Sequence, residues 1–187
     1  ANCELVGGET AEMPGTYAEN KFDLAGFAVG FVKKKNILNK GHVRQGNLIL
    51  AIPSSGLHSN GFSLVREIIK KNKINIRKNL FLKKELITPT KIYVKEILNL
   101  INKKLIVCCA NITGGGIKDN LERIIPSGLC ANIYLSNIKV KPIFKWIKKR
   151  KINENEMLKT FNCGVGFCLI VKKKNVKFIK NYFLNKY

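Results

Sequence analysis

Three short apolar runs meet turns rich in Gly, Ser or Asn, and this repeated juncture constrains the fold more than any other feature. The runs are Asn47–Pro53, Leu105–Ile112 and Gly164–Val171. The first opens into Ser54-Ser55-Gly56-Leu57-His58-Ser59-Asn60-Gly61, the second into Thr113-Gly114-Gly115-Gly116, and Thr160–Gly166 leads into the third. Apolar runs of this length, bounded by turn residues, read as buried strands. The stretches after the first two turns have helical spacing instead. Phe62, Val65, Ile68 and Ile69 share one face, as do Ile117, Leu121, Ile124 and Ile125, with Pro126 as a stop. Strands alternating with helices predict an α/β architecture, a mixed sheet layered with helices.

The same reading predicts further strands over Phe22–Val32 and Leu129–Leu135. Thr88-Pro89 has the form of an N-cap and first helical residue, with Ile92, Val94, Ile97, Leu98 and Ile101 continuing that helix. Shorter helices are expected at Ile143–Ile147 and Glu156–Thr160, and a last amphipathic one at Val176–Leu184. Acidic, Gly-rich sequence gives way to basic, helix-containing sequence near Lys33–Asn39, the most natural boundary in the chain. Ala1 stands where an initiator Met is absent, which reads as a fragment or processed product.

The net charge of +22 raises the question of a polyanion partner. Only five of the 34 basic residues are Arg, and the lysines are scattered in runs without interleaved aromatics. Bidentate recognition of phosphates or bases favours Arg, and single strands need stacking platforms. The charge therefore reads as A/T-rich codon drift, with no specific nucleic-acid partner. Six cysteines form no C-x-x-C pair, and neither His42 nor His58 is spaced as a zinc partner, so structural thiols are expected. The longest apolar stretches, near Leu48–Pro53 and Leu105–Ala110, fall far short of about 20 residues. With no signal peptide in view, no membrane partner and a cytoplasmic location are the default.

Four segments carry the candidate chemistry. Gly7–Gly15 combines close-approach glycines with Glu9 and Glu12, a pattern shared by acidic turns and metal or nucleotide contacts. Ser54–Gly61 joins a strand to a helix, where backbone N–H groups favour an anion; its serines serve equally well as caps. Thr113–Gly116 has the same context and reads either as a phosphate nest or as a tight turn. No Gly-Lys-Ser/Thr comes after it, so it is not a Walker loop. Thr160–Gly166 supplies glycines for close packing.

The order and wording of these segments resemble the phosphoribosylformylglycinamidine cyclo-ligase (AIR synthetase) family. LVGGETAEMPG, DLAGFAVG, SSGLHSNGFSLVR, PTKIYVK, NITGGG with DNLERIIP, and TFNCGVG occur in that order from Cys3 to about Val171. The resemblance implies the end of an N-terminal ATP-binding domain over 1–33 and, over 34–187, most of an AIR-synthetase-like C-terminal domain truncated at its end. It implies ATP-dependent closure of formylglycinamidine ribonucleotide to aminoimidazole ribonucleotide, with ATP and Mg2+ required and a homodimer in the full-length protein. Carried over by residue, it places Gly8, Glu9 and Thr10 near ATP, and leaves any metal ligand unassigned. Ser54, Ser55, Gly56, His58, Ser59, Asn60 and Gly61, or Thr113, Gly114, Gly115 and Gly116, become candidates for the substrate phosphate. His58 and Asn111 become catalytic candidates. Asn111 departs from the pattern, since the family has His there. Asn keeps a hydrogen bond but exchanges no proton near neutral pH, which leaves a catalytically decayed relative with a structural role as the alternative.

Overall fold

The computed structural model describes Ala1 and residues 3–184, and the chain divides into two compact units, Ala1–Ile37 and Leu38–Tyr187. The last three residues of the domain expected over 34–187 lie outside the described residues. In the first unit no described residue belongs to a strand, and the one regular element is a 3-10 turn at Lys34–Asn36. The strand expected over Phe22–Val32 does not form. A strand must share its N–H and C=O groups with a neighbour, and this unit supplies none, so Phe27 and Phe31 remain fully exposed.

Among its described residues the second unit contains three strands, β1 (Leu48–Pro53), β2 (Cys108–Asn111) and β3 (Val165–Val171), in the order β1-β3-β2. Central β3 is antiparallel to both neighbours, with Leu48 opposite Val171 and Cys108 opposite Ile170. It is the strand buried on both faces, which is why Val165–Val171 reads as a continuous apolar run rather than an alternating one. The hydrogen bonds from Val107 N–H to Ile170 O and from Ile112 N–H to Gly166 O carry the β2 pairing one residue beyond each end. Because β1 and β2 both run against β3, their carboxyl ends and the start of β3 lie along one edge of the sheet. This topology gathers the polar turns.

Among the described residues the second unit also contains seven helices: α1 (Phe62–Lys71), α2 (Leu80–Ile87), α3 (Val94–Asn102), α4 (Gly116–Glu122), α5 (Pro142–Lys148), α6 (Glu154–Thr160) and α7 (Val176–Leu184). Ile97 and Leu100 of α3 and Ile179 of α7 pack on Ile52, Leu169 and Val171. Ile117 and Leu121 of α4 pack on Val165 and Cys168 from the other side. A third cluster joins α1, α2, α5 and α6 through Val65, Ile68, Leu82, Phe144, Ile147, Met157 and Phe161. Leu82 and Leu100 are entirely buried, each worth about 1.5–3 kcal/mol relative to exposure.

The pairing of β1 with β3 shifts register between Ile52 and Pro53, where Pro53 meets Val165 instead of Gly166. This bulge turns Val165 to the same face as Cys168. It also leaves Gly166 where a Cβ would run into the Tyr93 hydroxyl and stand 2.9 Å from Cε1 of His58. Glycine is required there because Tyr93 occupies the room of its missing side chain.

Two local expectations fail. Thr88 ends α2 rather than starting a helix: its Oγ1 donates to the Lys84 carbonyl at 2.7 Å, and α3 begins only at Val94. Pro89 holds Thr88 extended, as the residue before a proline tends to be. Helix α2 itself is capped by Asn79, which accepts from the Leu82 N–H at 3.0 Å. The strand expected over Leu129–Leu135 is also absent. Gly128–Tyr134 and β1 both line a groove of about 1100 Å3 without pairing as strands.

Candidate functional site

Among the described residues, the buried polar side chains are Ser54, His58, Asn120 and Asn162, and all four stand at the edge where the turns gather. A buried polar group is tolerated when its hydrogen bonds are made, so each marks a built structure. Asn162, just before β3, is the hub. Its Oδ1 accepts from the Ser54 hydroxyl at 3.0 Å and from the Gly164 N–H at 2.9 Å, while its Nδ2 donates to the carbonyls of Gly56 at 2.9 Å and Leu57 at 3.2 Å. The Ser54 N–H in turn donates to Gly164 O at 2.9 Å. The first turn is thereby fastened to the start of the central strand.

His58 sits within that turn in the left-handed conformation, φ 60°. Its Nε2 accepts the Ser55 N–H at 3.1 Å, so the neutral ring carries its proton on Nδ1. Burial first, then the charges of Lys91 and Lys141, hold its pKa below the usual 6.5, which keeps the ring neutral near pH 7. Tyr93 packs beside it with ring centres 6.2 Å apart and donates to the Pro53 carbonyl at 2.9 Å. The Ser55 hydroxyl donates to Pro89 O at 2.7 Å.

The glycine turn after β2 is organised by Asn120 of α4. Asn120 Nδ2 donates to the carbonyls of Gly116 at 2.7 Å, Gly114 at 3.1 Å and Thr113 at 3.4 Å, and its Oδ1 receives the Thr113 hydroxyl at 3.3 Å. Gly116 is left-handed, its N–H closes the turn on Thr113 O, and a Cβ there would collide with the Leu158 carbonyl. Close packing therefore accounts for Gly116. Asp119 places its carboxylate against Gly115, which opposes an anion at that point. The two turns meet: a Cβ on Gly114 would stand 3.7 Å from Asn60 Oδ1.

Of the expected residues, Ser54, Ser55, Gly56, His58, Ser59, Asn60 and Gly61 share this edge with Thr113, Gly114, Gly115 and Gly116. Asn111 ends β2, exposed and paired in register with Phe167, whose ring lies 5.5 Å from Tyr93. Gly8, Glu9 and Thr10 belong to the first unit, where all three are exposed. Sequence reasoning missed four contributors. Asn120 and Asn162 stood inside recognisable segments but carry no signal until the turns they brace are seen. Tyr93 and Lys91 lie in PTKIYVK, where the periodicity pointed only to a helix.

Cys108, Cys163 and Cys168 are buried and Cys109 is half-buried, whereas Cys3 and Cys130 are exposed. Cys163, Cys109 and Cys168 have thiols pushed up by burial to about 11, about 11 and about 12, so they remain protonated. All six are free.

The fold and this edge define a class: an α/β domain whose strand-end turns gather buried polar side chains along one edge of its sheet. Residues 44–183 match the family model described as AIR synthase related protein, C-terminal domain, and the chain belongs to that family. It is 45% identical over 177 residues to a phosphoribosylformylglycinamidine cyclo-ligase, chloroplastic/mitochondrial, from Vigna unguiculata. That alignment covers 91% of this chain and 46% of the relative, so the chain spans about half of the relative's length. No helix among the described residues is long and apolar enough to cross a membrane.

Proposed function

We propose that this chain forms the substrate-binding half of an enzyme that closes formylglycinamidine ribonucleotide to aminoimidazole ribonucleotide while consuming ATP. The observation that carries the reading is the convergence of the Ser54–Gly61 and Thr113–Gly116 turns on one sheet edge, in a member of the AIR synthase related family. The name of the Vigna unguiculata relative supports the particular reaction.

The chemistry calls for activation of a poor leaving group. The formyl oxygen attacks the γ-phosphorus of ATP and ADP departs. An amidine-side nitrogen then attacks the activated carbon, its proton is lost, and the C–O bond breaks as inorganic phosphate leaves. Such a reaction depends chiefly on positioning and on stabilising phosphoryl charge. The turn braced by Asn162 supplies rigid positioning. Neutral His58 would donate through Nδ1 rather than act as a base, because its Nε2 is engaged by Ser55. Asn111 would orient substrate as a hydrogen-bonding group. ATP is a co-substrate in this reading, with Gly8, Glu9 and Thr10 on its side. No group of three or more His, Cys, Asp or Glu among the described residues could hold a metal ion, so no step is assigned to Mg2+ on these residues.

We also propose a homodimer for the full-length protein. The exposed apolar side chains of Phe22, Leu24, Phe27 and Phe31 support association. A cytoplasmic location is proposed beside a relative whose name is chloroplastic/mitochondrial, and cell fractionation separates the two. The test of function is an assay of the native full-length protein with ATP and formylglycinamidine ribonucleotide. ADP and aminoimidazole ribonucleotide are expected in equal amounts; ADP release that ignores the ribonucleotide would sink the reading.

A further inference from the structure

Of all the lysines among the described residues, only Lys91 and Lys141 are not exposed. In a chain so rich in solvated lysine, partial burial of just these two is a departure that compositional drift does not explain, because drift adds lysine where water can reach it. Both belong to the edge already described. Lys91 Nζ lies 6.0 Å from the centre of the Tyr93 ring, and that ring neighbours His58. Lys141 immediately precedes α5, and the adjoining Lys139–Val140 backbone lies against Gly164, with Lys139 O 2.9 Å from where its Cβ would be. Gly164 is the residue whose N–H binds Asn162. Lys91 thus neighbours the His58 turn through Tyr93, while Lys141 follows the backbone that meets Gly164, so the two lysines come to this edge from separate elements.

From this geometry we infer that Lys91 and Lys141 form a cationic clamp beside the Ser54–Gly61 turn, and that the clamp takes the phosphate group of a phosphorylated small molecule. The inference rests on the proposed function for its substrate and adds the location of the phosphate. The competing position is the glycine turn after β2, where the Asp119 carboxylate stands against Gly115 and Asn120 already occupies the carbonyls. A dianion is repelled there and attracted at the lysines, and partial burial strengthens that attraction relative to the open surface. Electrostatics agree: Lys141 is among the causes lowering the Lys91 pKa, and both lysines lower that of His58, while Glu96 acts on Lys91 in the opposite sense. Two cations near enough to repel one another suit an anionic guest. The chemistry fits equally the 5′-phosphate of a ribonucleotide or a terminal phosphate of ATP.

The experiment uses the native full-length protein and the variants Lys91→Gln, Lys141→Gln and Lys83→Gln, the last removing an exposed charge from α2. Inorganic phosphate binding is measured by calorimetry. Binding weakened about 10-fold or more by each of the first two changes, and unaltered by Lys83→Gln, supports the clamp; equal weakening by all three, or no change at all, overturns it. Lys91→Arg and Lys141→Arg, which keep the charge, guard against misfolding and should retain binding. Steady-state kinetics then name the source. A raised KM for the ribonucleotide alone indicates its 5′-phosphate, and a raised KM for ATP alone indicates the nucleotide. If the native protein closes no ring, the proposed function fails, and the calorimetry still decides the clamp by itself.

Discussion

The side chain of Asn162 accepts a hydrogen bond from the Ser54 hydroxyl at 3.0 Å although 108 residues separate them in the chain. That bond, with those to Gly56, Leu57 and Gly164, uses both donors and the acceptor of one buried amide. Asn162→Ala leaves buried partners unsatisfied and should cost about 1–3 kcal/mol of stability. Asn162→Asp should cost more, since a carboxylate would face two carbonyl oxygens. Urea unfolding of the variants measures both, and an Asn162→Asp protein as stable as the parent contradicts the hub.

Gly166 and Tyr93 form a matched pair in which one residue lacks what the other supplies. Gly166→Ala should destabilise strongly, because its methyl group falls on the Tyr93 hydroxyl. Tyr93→Phe loses the bond to Pro53 O, about 0.5–1.5 kcal/mol. The double variant should be more stable than the sum of the two losses allows, since the phenyl ring relieves part of the collision. A double-mutant cycle with no coupling between the residues would refute the contact.

The apolar runs that became β1, β2 and β3 were legible because buried strands leave an unbroken signature. The turns between strand and helix were legible for the same reason, as interruptions of that signature. The failures have a common cause. Phe22–Val32 and Leu129–Leu135 have the composition of strands, but a strand exists only when another backbone lies beside it, and a local pattern does not contain that partner. Thr88-Pro89 fits a helix start and a helix stop equally well, and the capping bond to Lys84 decided between them. At the site, the first and second turns were found by their glycines and serines. Asn120 and Asn162 escaped notice because a hydrogen-bonding hub is defined by what surrounds it, and Lys91 and Lys141 were hidden by the number of other lysines.

The pKa of His58 is lowered in the folded chain, so the folded state binds less proton than the unfolded one below about 6.5. Stability from this group is present above 6.5 and is lost as pH falls from there through the lower folded value. Urea unfolding between about pH 5 and 7 should show this decline, with a slope of at most one proton. His58→Asn removes the titration and is compatible with a left-handed backbone, so its stability should vary less across that window. An identical pH dependence in both proteins would assign the effect elsewhere.

Asn111 stands at the end of β2, exposed beside the row formed by Phe167 and Tyr93. If the ring closure proposed above draws on proton transfer at this position, Asn111→His should raise kcat, within the 10²- to 10⁴-fold range of general acid–base catalysis as an upper bound. The ribonucleotide KM should change little, because both side chains offer a hydrogen bond. A kcat unaltered by the substitution assigns Asn111 to orientation alone.

Thiol chemistry gives a direct reading of the packing at β2 and β3. Cys3 and Cys130 are exposed, while Cys108, Cys163 and Cys168 are buried and Cys109 is half-buried. The thiolate is the nucleophile, and burial raises Cys109 and Cys163 to about 11 and Cys168 to about 12, with Cys108 raised as well. Alkylation of the folded protein near pH 7.5, read by peptide mass spectrometry, should label Cys3 and Cys130 and spare the other four. In urea all six should react. Early labelling of Cys109, the least protected of the four, would show that the face of β2 under α3 opens in the native state, whereas early labelling of Cys168 would contradict the central placement of β3 itself.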